Sequence, residues 1–391
     1  MNATLLPLLQ TDAVSMETLH RRYGRLLGLV RTVIGVVPNC SSYLEIWPVG
    51  FRTFNVMVPN LLNLPIFLWG LGAPRQIVGL AMSSASRTAQ CAYCTAHNCS
   101  FTLRRGASPA SVVGALDGAG EPRAHAAIAV GRALASVPAA ITDDERADLE
   151  KHFPKAHVEW IVLAIAMMGF LNKFMDAVGV ELEAAIVGEV NALIAPSGWH
   201  PGKHFAGAIP DAPPPRADSF GTKLGVLRFA PAAISLDRKW TVGVPSRWPE
   251  VGGFLRAATG HDFPVLSRLT HRRAIRAIAV MLRDNLDPGT SVIGLPLKGR
   301  VGRIYAEVVG DAGLAAEIEQ LSKRLPVPVE DARTEAALRL ARAASSSPAQ
   351  IDTDVVEACR ASRLDAAATV EIVVWLAVLQ MLHRLSAYYR A

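Results

Sequence analysis

Gln90-Cys91-Ala92-Tyr93-Cys94-Thr95-Ala96-His97-Asn98-Cys99-Ser100-Phe101-Thr102-Leu103-Arg104-Arg105-Gly106 is the stretch on which the reading of this chain turns. Cys91 and Cys94 stand three residues apart, with His97 three further on. If the stretch is helical, that step keeps all three side chains on one face, with neighbouring Cβ atoms roughly 5–6 Å apart. An imidazole beside two thiols can take or share a thiol proton, and the second thiol can close a disulfide. A helical Cys-X-X-Cys also tends to lower the pKa of its first thiol. Gly106 is a natural residue to close such a helix.

Two plainer readings stand beside the redox one. Free cysteines often serve as small buried apolar residues. Cys91, Cys94, His97 and Cys99 could also be zinc ligands, but all four would come from one helix. Tetrahedral sites draw ligands from separated elements, so neither a metal nor a cofactor is expected. Tyr93 points about 100° away from the cysteine face and reads as packing. Cys99 reads as core.

The whole chain has 391 residues, enough for two cores. Hydrophobic residues make up 51% and charged ones 19%, which excludes a disordered chain and suggests much helix–helix or subunit contact. Forty basic against 34 acidic side chains give a formal +6, spread along the chain with no Lys/Arg run, so no nucleic-acid partner is expected. Five cysteines, three of them between Cys91 and Cys99, do not form the even spacing of a secreted disulfide framework. No basic n-region precedes Asp12 and Glu17, and the expected compartment is the cytoplasm, where such a dithiol cycles. Trp160–Phe170 and Ile372–Leu382 are apolar but too short to span a bilayer, and no membrane partner is expected.

Taken in order, the chain reads as helix throughout, with no sustained period-two alternation. A helix runs from Phe51 to Leu62 and is stopped by Asn63-Leu64-Pro65. Another begins at Pro74 and passes into a polar bridge from Ser83 to Gln90 before the dithiol helix. Ser108-Pro109 is a cap, Thr142 to Glu145 a capping box, and Glu159 to Val178 a long apolar helix. Glu159 reads as a favourable charge at the start of that helix. His125, His152 and His157 read as solvated, and His200 and His204 as unpaired residues of a Pro/Gly-rich connector over 196–247.

Beyond the connector the first half recurs. Trp47-Pro48 returns as Trp248-Pro249; Arg132, Pro138, Ile141 and Asp144 return as Arg342, Pro348, Ile351 and Asp354; Glu159 returns as Glu371. The expected organisation is an all-α, tandem-duplicated chain: a helical domain over 1–195 with the dithiol, the connector, and a degenerate copy over 248–391. By this register Cys91 and Cys94 fall within Thr290–Lys298, where no cysteine or histidine occurs.

The motif Cys91-Ala-Tyr93-Cys94-Thr-Ala-His97 with Gly106 and Ala-Ser-Pro after it, the preceding Pro74-Arg75-Gln76-Ile77-Val78 helix with Ser83-Ser84, and the Asn172-Lys173-Phe174-Met175-Asp176 segment resemble the carboxymuconolactone decarboxylase / AhpD-like alkylhydroperoxidase family. The resemblance covers roughly residues 60–185, with a weak echo in the second half. It implies an oligomeric helical fold in which Cys94 attacks a hydroperoxide, Cys91 resolves the sulfenate, His97 relays the proton, and an external thioredoxin-like or small thiol reopens the disulfide. The family commonly has a glutamate on the preceding helix. Here Gln76 takes the matching position and cannot take up a proton. The expected activity is therefore that of a thiol-dependent hydroperoxide reductase (a peroxidase, with peroxiredoxin activity). A decarboxylase-like lyase and a non-catalytic redox sensor or scaffold are the alternatives, since the family name alone does not fix the reaction.

Overall fold

The structure, a computed structural model, describes residues 3–323, 325–326 and 329–390. Among these residues there are nineteen α-helices and no strand. The first half contains Leu6–Leu9 (α1), Met16–Ile34 (α2), Cys40–Leu44 (α3), Pro48–Leu61 (α4), Arg75–Thr88 (α5), Ala92–Arg104 (α6), Pro109–Leu116 (α7), Pro122–Ala135 (α8), Asp143–His152 (α9), Lys155–Val178 (α10) and Ala184–Ile194 (α11). Phe220–Thr241 is α12. The rest runs through Glu250–Thr259 (α13), Arg272–Asn285 (α14), Leu295–Val308 (α15), Ala312–Ser322 (α16), Ala332–Ser345 (α17), Thr353–Ala361 (α18) and Ala366–Tyr389 (α19).

Local chemistry explains several of these limits. Ser108 caps α7 through the N–H of Ser111, with Pro109 in the first turn. Thr142 and Glu145 close the expected capping box on α9. Gly179 ends α10 in the left-handed conformation at φ 76°.

The polar bridge expected from Ser83 to Gln90 is instead mostly helix, because α5 continues to Thr88. Its serines are satisfied inside the core. Ser83 donates to its own helix at Gly79 O (2.9 Å), Ser84 to Ile128 O (3.0 Å) and Ser86 to Asn172 Oδ1 (2.9 Å). Buried hydroxyls with partners do not break a helix.

The two apolar stretches also grow beyond the sequence expectation. Both α10 and α19 are 24 residues long and apolar enough to cross a membrane, but 94% and 89% of their apolar windows are buried inside the fold. They are core helices packed on each other. At Gly169 a Cβ would stand 2.9 Å from the carbonyl oxygen of Gln380, so only glycine permits that approach.

Polar clamps tie the two halves together. Arg52 of α4 lies 2.7 Å from Asp284 of α14, and Asn285 donates to Thr53 at 2.9 Å. Lys173 of α10 donates to Ser345 O, Ser346 O and Ser347 Oγ at 2.8, 2.5 and 3.1 Å. Glu159 is buried and does not act on its own helix. It accepts the N–H groups of Thr270 and His271 at the entrance to α14, at 2.8 Å from Oε1. Glu371 does the same for Val292 and Ile293 before α15, at 2.7 and 3.0 Å.

Thr290–Lys298, where the sequence register places the second copy of the dithiol, is the turn into α15 and its first residues. The local design that opens α6 recurs at α16 instead. Gln90 and Gly310 are both left-handed, at φ 54° and 67°. Cys91 and Asp311 follow as N-caps, accepting the N–H groups of Cys94 and Leu314.

The connector is not a loose linker. Asp218 holds the buried Arg105 at 2.5 Å, its N–H bonds Arg104 O at 2.8 Å, and Ser219 then caps the 22-residue α12. This helix packs along α2, where the Phe229 ring lies against Gly28 so closely that a Cβ there would clash at 2.6 Å.

Candidate active site

α6 opens on Cys91. Its backbone is extended (φ −88°, ψ 97°) and its sulfur accepts the Cys94 N–H at 3.4 Å, so this cysteine is the helix N-cap and not a turn-mate within the helix. Both cysteines are buried, and all five cysteines of the chain are free thiols. Burial pushes the Cys94 thiol well above its ordinary value, and the neighbouring Cys91 thiol pushes it further the same way. Burial there favours the neutral thiol over the thiolate. Cys99, deeper on the same helix, is pushed up to about 12 by burial and stays core. Among the described residues no group of three or more His, Cys, Asp or Glu is placed to hold a metal ion.

His97 faces the same region one turn along, and its Nε2 lies 2.7 Å from Glu183 Oε2. The other oxygen of Glu183 accepts the Asn39 N–H at 2.6 Å and the Tyr93 hydroxyl at 3.0 Å. Burial draws this carboxyl upward. The His97 imidazole, by charge and by hydrogen bond, and the Asn39 N–H outweigh it and hold the group below the usual carboxylate range. The Tyr93 ring stacks on His97 with centroids 4.5 Å apart, and burial followed by the Glu183 charge keeps its phenol protonated.

Two sequence expectations are corrected here. Gln76 is exposed, and its side chain donates to Gly106 O at 2.7 Å, beyond the far end of α6 from the cysteines. It takes no part in the site. The carboxylate that meets His97 is Glu183, between α10 and α11, at no recognisable spacing from the motif. The only signal for it in the sequence is the alternation Val180-Glu181-Leu182-Glu183 just before α11, which puts two acids beside buried apolar residues. Tyr93 is not mere packing either, because it shares Glu183 with His97.

The connector histidine assigned no partner, His204, is buried beside the site. Its Nδ1 meets Val180 O at 2.8 Å, its Nε2 stands 3.9 Å from Asp176, and its ring lies 5.9 Å from Tyr93. Behind α6, Asn98 links Met82 O and Ser86, which in turn donates to Asn172. The Asn172–Asp176 segment quoted from the sequence is thus the floor on which the dithiol helix rests.

Cys94, His97, Tyr93 and Asn98 form one wall of a cavity of about 160 Å³. Methionines 82, 167, 168 and 175 and the side chains of Phe54, Val58, Leu62 and Phe101 make the rest of that side apolar. The inner face of α12 (Val226, Ala230, Ala233, Asp237, Trp240) covers it, and Arg273 reaches in from the second half. That arginine is held by Asn60 and Asn63 at 3.2 and 3.3 Å. A buried thiol and a carboxylate-held imidazole thus share one apolar chamber.

No family model matches the chain, and no curated protein does. Among solved structures, a variant of the debrominase Bmp8 in complex with 2,3,4-tribromopyrrole is similar to part of the chain. It is 17% identical with a TM-score of 0.40, over 46% of this chain and 95% of that one. Ligand-free Bmp8 is similar at 17% identity with a TM-score of 0.39, over 46% of this chain and 94% of that one.

Proposed function

We propose that the protein is a thiol-dependent hydroperoxide reductase with Cys94 as the attacking sulfur, acting in the cytoplasm. The observation that carries this reading is that Cys94 and the Glu183-held His97 line the same apolar cavity. Burial keeps Cys94 protonated until a base takes its proton, and His97 is the base within reach of that cavity. The Glu183 carboxylate fixes the ring and stabilises the imidazolium that results. The thiolate attacks the distal oxygen of R–O–O–H and the O–O bond breaks. The alkoxide leaves as R–OH with the proton returned by His97, and Cys94 becomes a sulfenic acid. The Cys91 thiol then condenses with it, releasing water and closing a disulfide. Two electrons and two protons from a thioredoxin-like or low-molecular-weight thiol donor reopen that bridge.

The second half reads as a copy that has lost the chemistry. What supports this is the order of helix lengths: 14, 11, 14, 9 and 24 residues for α15–α19 against 14, 13, 14, 10 and 24 for α5, α6, α8, α9 and α10. An aspartate, Asp311, caps α16 where Cys91 caps α6.

Incubating reduced protein with cumene hydroperoxide and following Cys94 by mass spectrometry tests the reading. A Cys94 sulfenate or a Cys91–Cys94 disulfide is expected, and finding neither rejects it. Cys94→Ser should abolish turnover, while Cys91→Ser should permit one attack and no cycling. A non-catalytic redox sensor is the second reading, favoured by how far burial raises the Cys94 thiol. Stoichiometric oxidation without turnover would select it.

A further inference from the structure

The outer face of α12 is apolar where solvent is expected. Phe220, Leu224 and Leu227 recur at helical spacing and are 67%, 48% and 47% exposed. The patch continues onto the turn beside it. Trp69 meets Phe220 edge-on at 6.3 Å, and Ile66 and Leu71 stand 42% and 63% exposed next to it. The opposite face of the same helix is the cavity wall, and Leu64, Pro65 and Leu68 line the cavity from the same turn. One helix and one turn thus separate an apolar chamber from an apolar surface.

Charge says what covers that surface. Between them α2 and α12, packed side by side, carry eight Lys/Arg and two Asp/Glu, which leaves +6, the whole formal charge of the chain. The remainder is formally neutral. Arg228, Arg238 and Lys239 on α12 and Arg21, Arg25 and Arg31 on α2 are exposed. A second copy of this chain would meet that patch with cations of its own. An anionic bilayer complements it, taking the apolar stripe into its interface while the cations meet its headgroups. Trp69 on the patch is the side chain best suited to such an interface.

We propose that α12 and the turn at 66–71 dock on an anionic lipid surface, so that a hydroperoxide on a hydrocarbon chain enters the cavity under α12 directly from the bilayer. The docking stands on the patch and the charge alone. The substrate class rests on the hydroperoxide reading above. A helix lying in the interface needs no long apolar run, which is why no membrane partner was expected from the residues alone.

Flotation of the full chain with vesicles of phosphatidylcholine alone, and with about a third phosphatidylglycerol added, reads the docking. Binding only to the anionic vesicles, falling as salt is raised, is expected. Leu224→Asp with Leu227→Asp, neither in the cavity, should abolish it while leaving helicity, thermal unfolding and turnover of cumene hydroperoxide in solution unchanged. Arg238→Gln should weaken it on the order of fivefold. Absence of binding by the unaltered chain, or equal binding by the double variant, overturns the proposal. So does a homo-oligomer that the double variant dissociates without any vesicle binding. If vesicles bind but no peroxide is turned over, the docking stands and the hydroperoxide reading falls. If soluble peroxide is turned over without vesicle binding, the reverse holds.

Discussion

Glu183 is the residue by which His97 is held, and replacing it with glutamine separates charge from shape. The amide can still accept from Asn39 and Tyr93, but it donates to His97 where the carboxylate accepted, and it cannot stabilise an imidazolium. Peroxide reduction by Glu183→Gln should fall on the order of a hundredfold in kcat/KM at neutral pH. The sign of the pH dependence follows from Cys94, whose thiol burial holds well above its ordinary value. Raising the pH supplies thiolate without help from a base. Stopped-flow rates for Glu183→Gln should therefore climb steeply into the alkaline range and close on the unaltered protein. A constant ratio between the two at every pH would show that Glu183 has no part in proton transfer. Gln76→Ala, by contrast, should leave the rate unchanged, since that side chain bonds only Gly106 O away from the cysteines.

Helices position these residues through contacts that tolerate little change. α5 lies under α6 and is gripped from its other side by α8, where Gly131 lets the backbones touch. A Cβ there would stand 2.5 Å from the carbonyl oxygen of Ala81. Since the obstacle is main chain, Gly131→Ala must push the helices apart, and it should lower stability by about 1–3 kcal/mol. Urea unfolding measures this, and an unchanged midpoint would mean the pair can slide. At the same scale, α12 is the element the sequence reading missed. Its Gly, Pro and Asp neighbours suggested a linker. The helix survives with Pro231 inside because it leans on α2 and is clipped at its start by Asp218 and Ser219.

Across the whole molecule the halves meet at buried polar clamps, and Lys173 is the most exacting of them. Burial pushes its ammonium down to about 7, while Asp176 pulls the other way. Its three oxygen acceptors in the second half match the three donors of the charged form. Below about pH 7 the amine is charged in both folded and unfolded chains, and the burial penalty is present in full. As the pH rises from there toward roughly 10.4, the unfolded chain keeps a proton that the folded one has released, so stability rises through that window. Lys173→Met lacks this response. Between pH 7 and 9 the unaltered protein should gain up to about 2–3 kcal/mol relative to the variant, read as diverging urea midpoints. Parallel midpoints would show that the amine keeps its proton throughout.

The helical class, the apolar core helices and the dithiol with its histidine are legible in the chain alone. Each of these is written in neighbouring residues, as a 3.6-residue period, a cap or a three-residue step. That Glu183 and not Gln76 faces His97, that Tyr93 and His204 belong near the site, and that α12 roofs the cavity emerges only from the packed fold. Those relations join residues tens to hundreds of positions apart, which no local period records. The charge on α2 and α12 makes the same point, since it looks diffuse along the chain and is gathered on neighbouring helices only when the two pack.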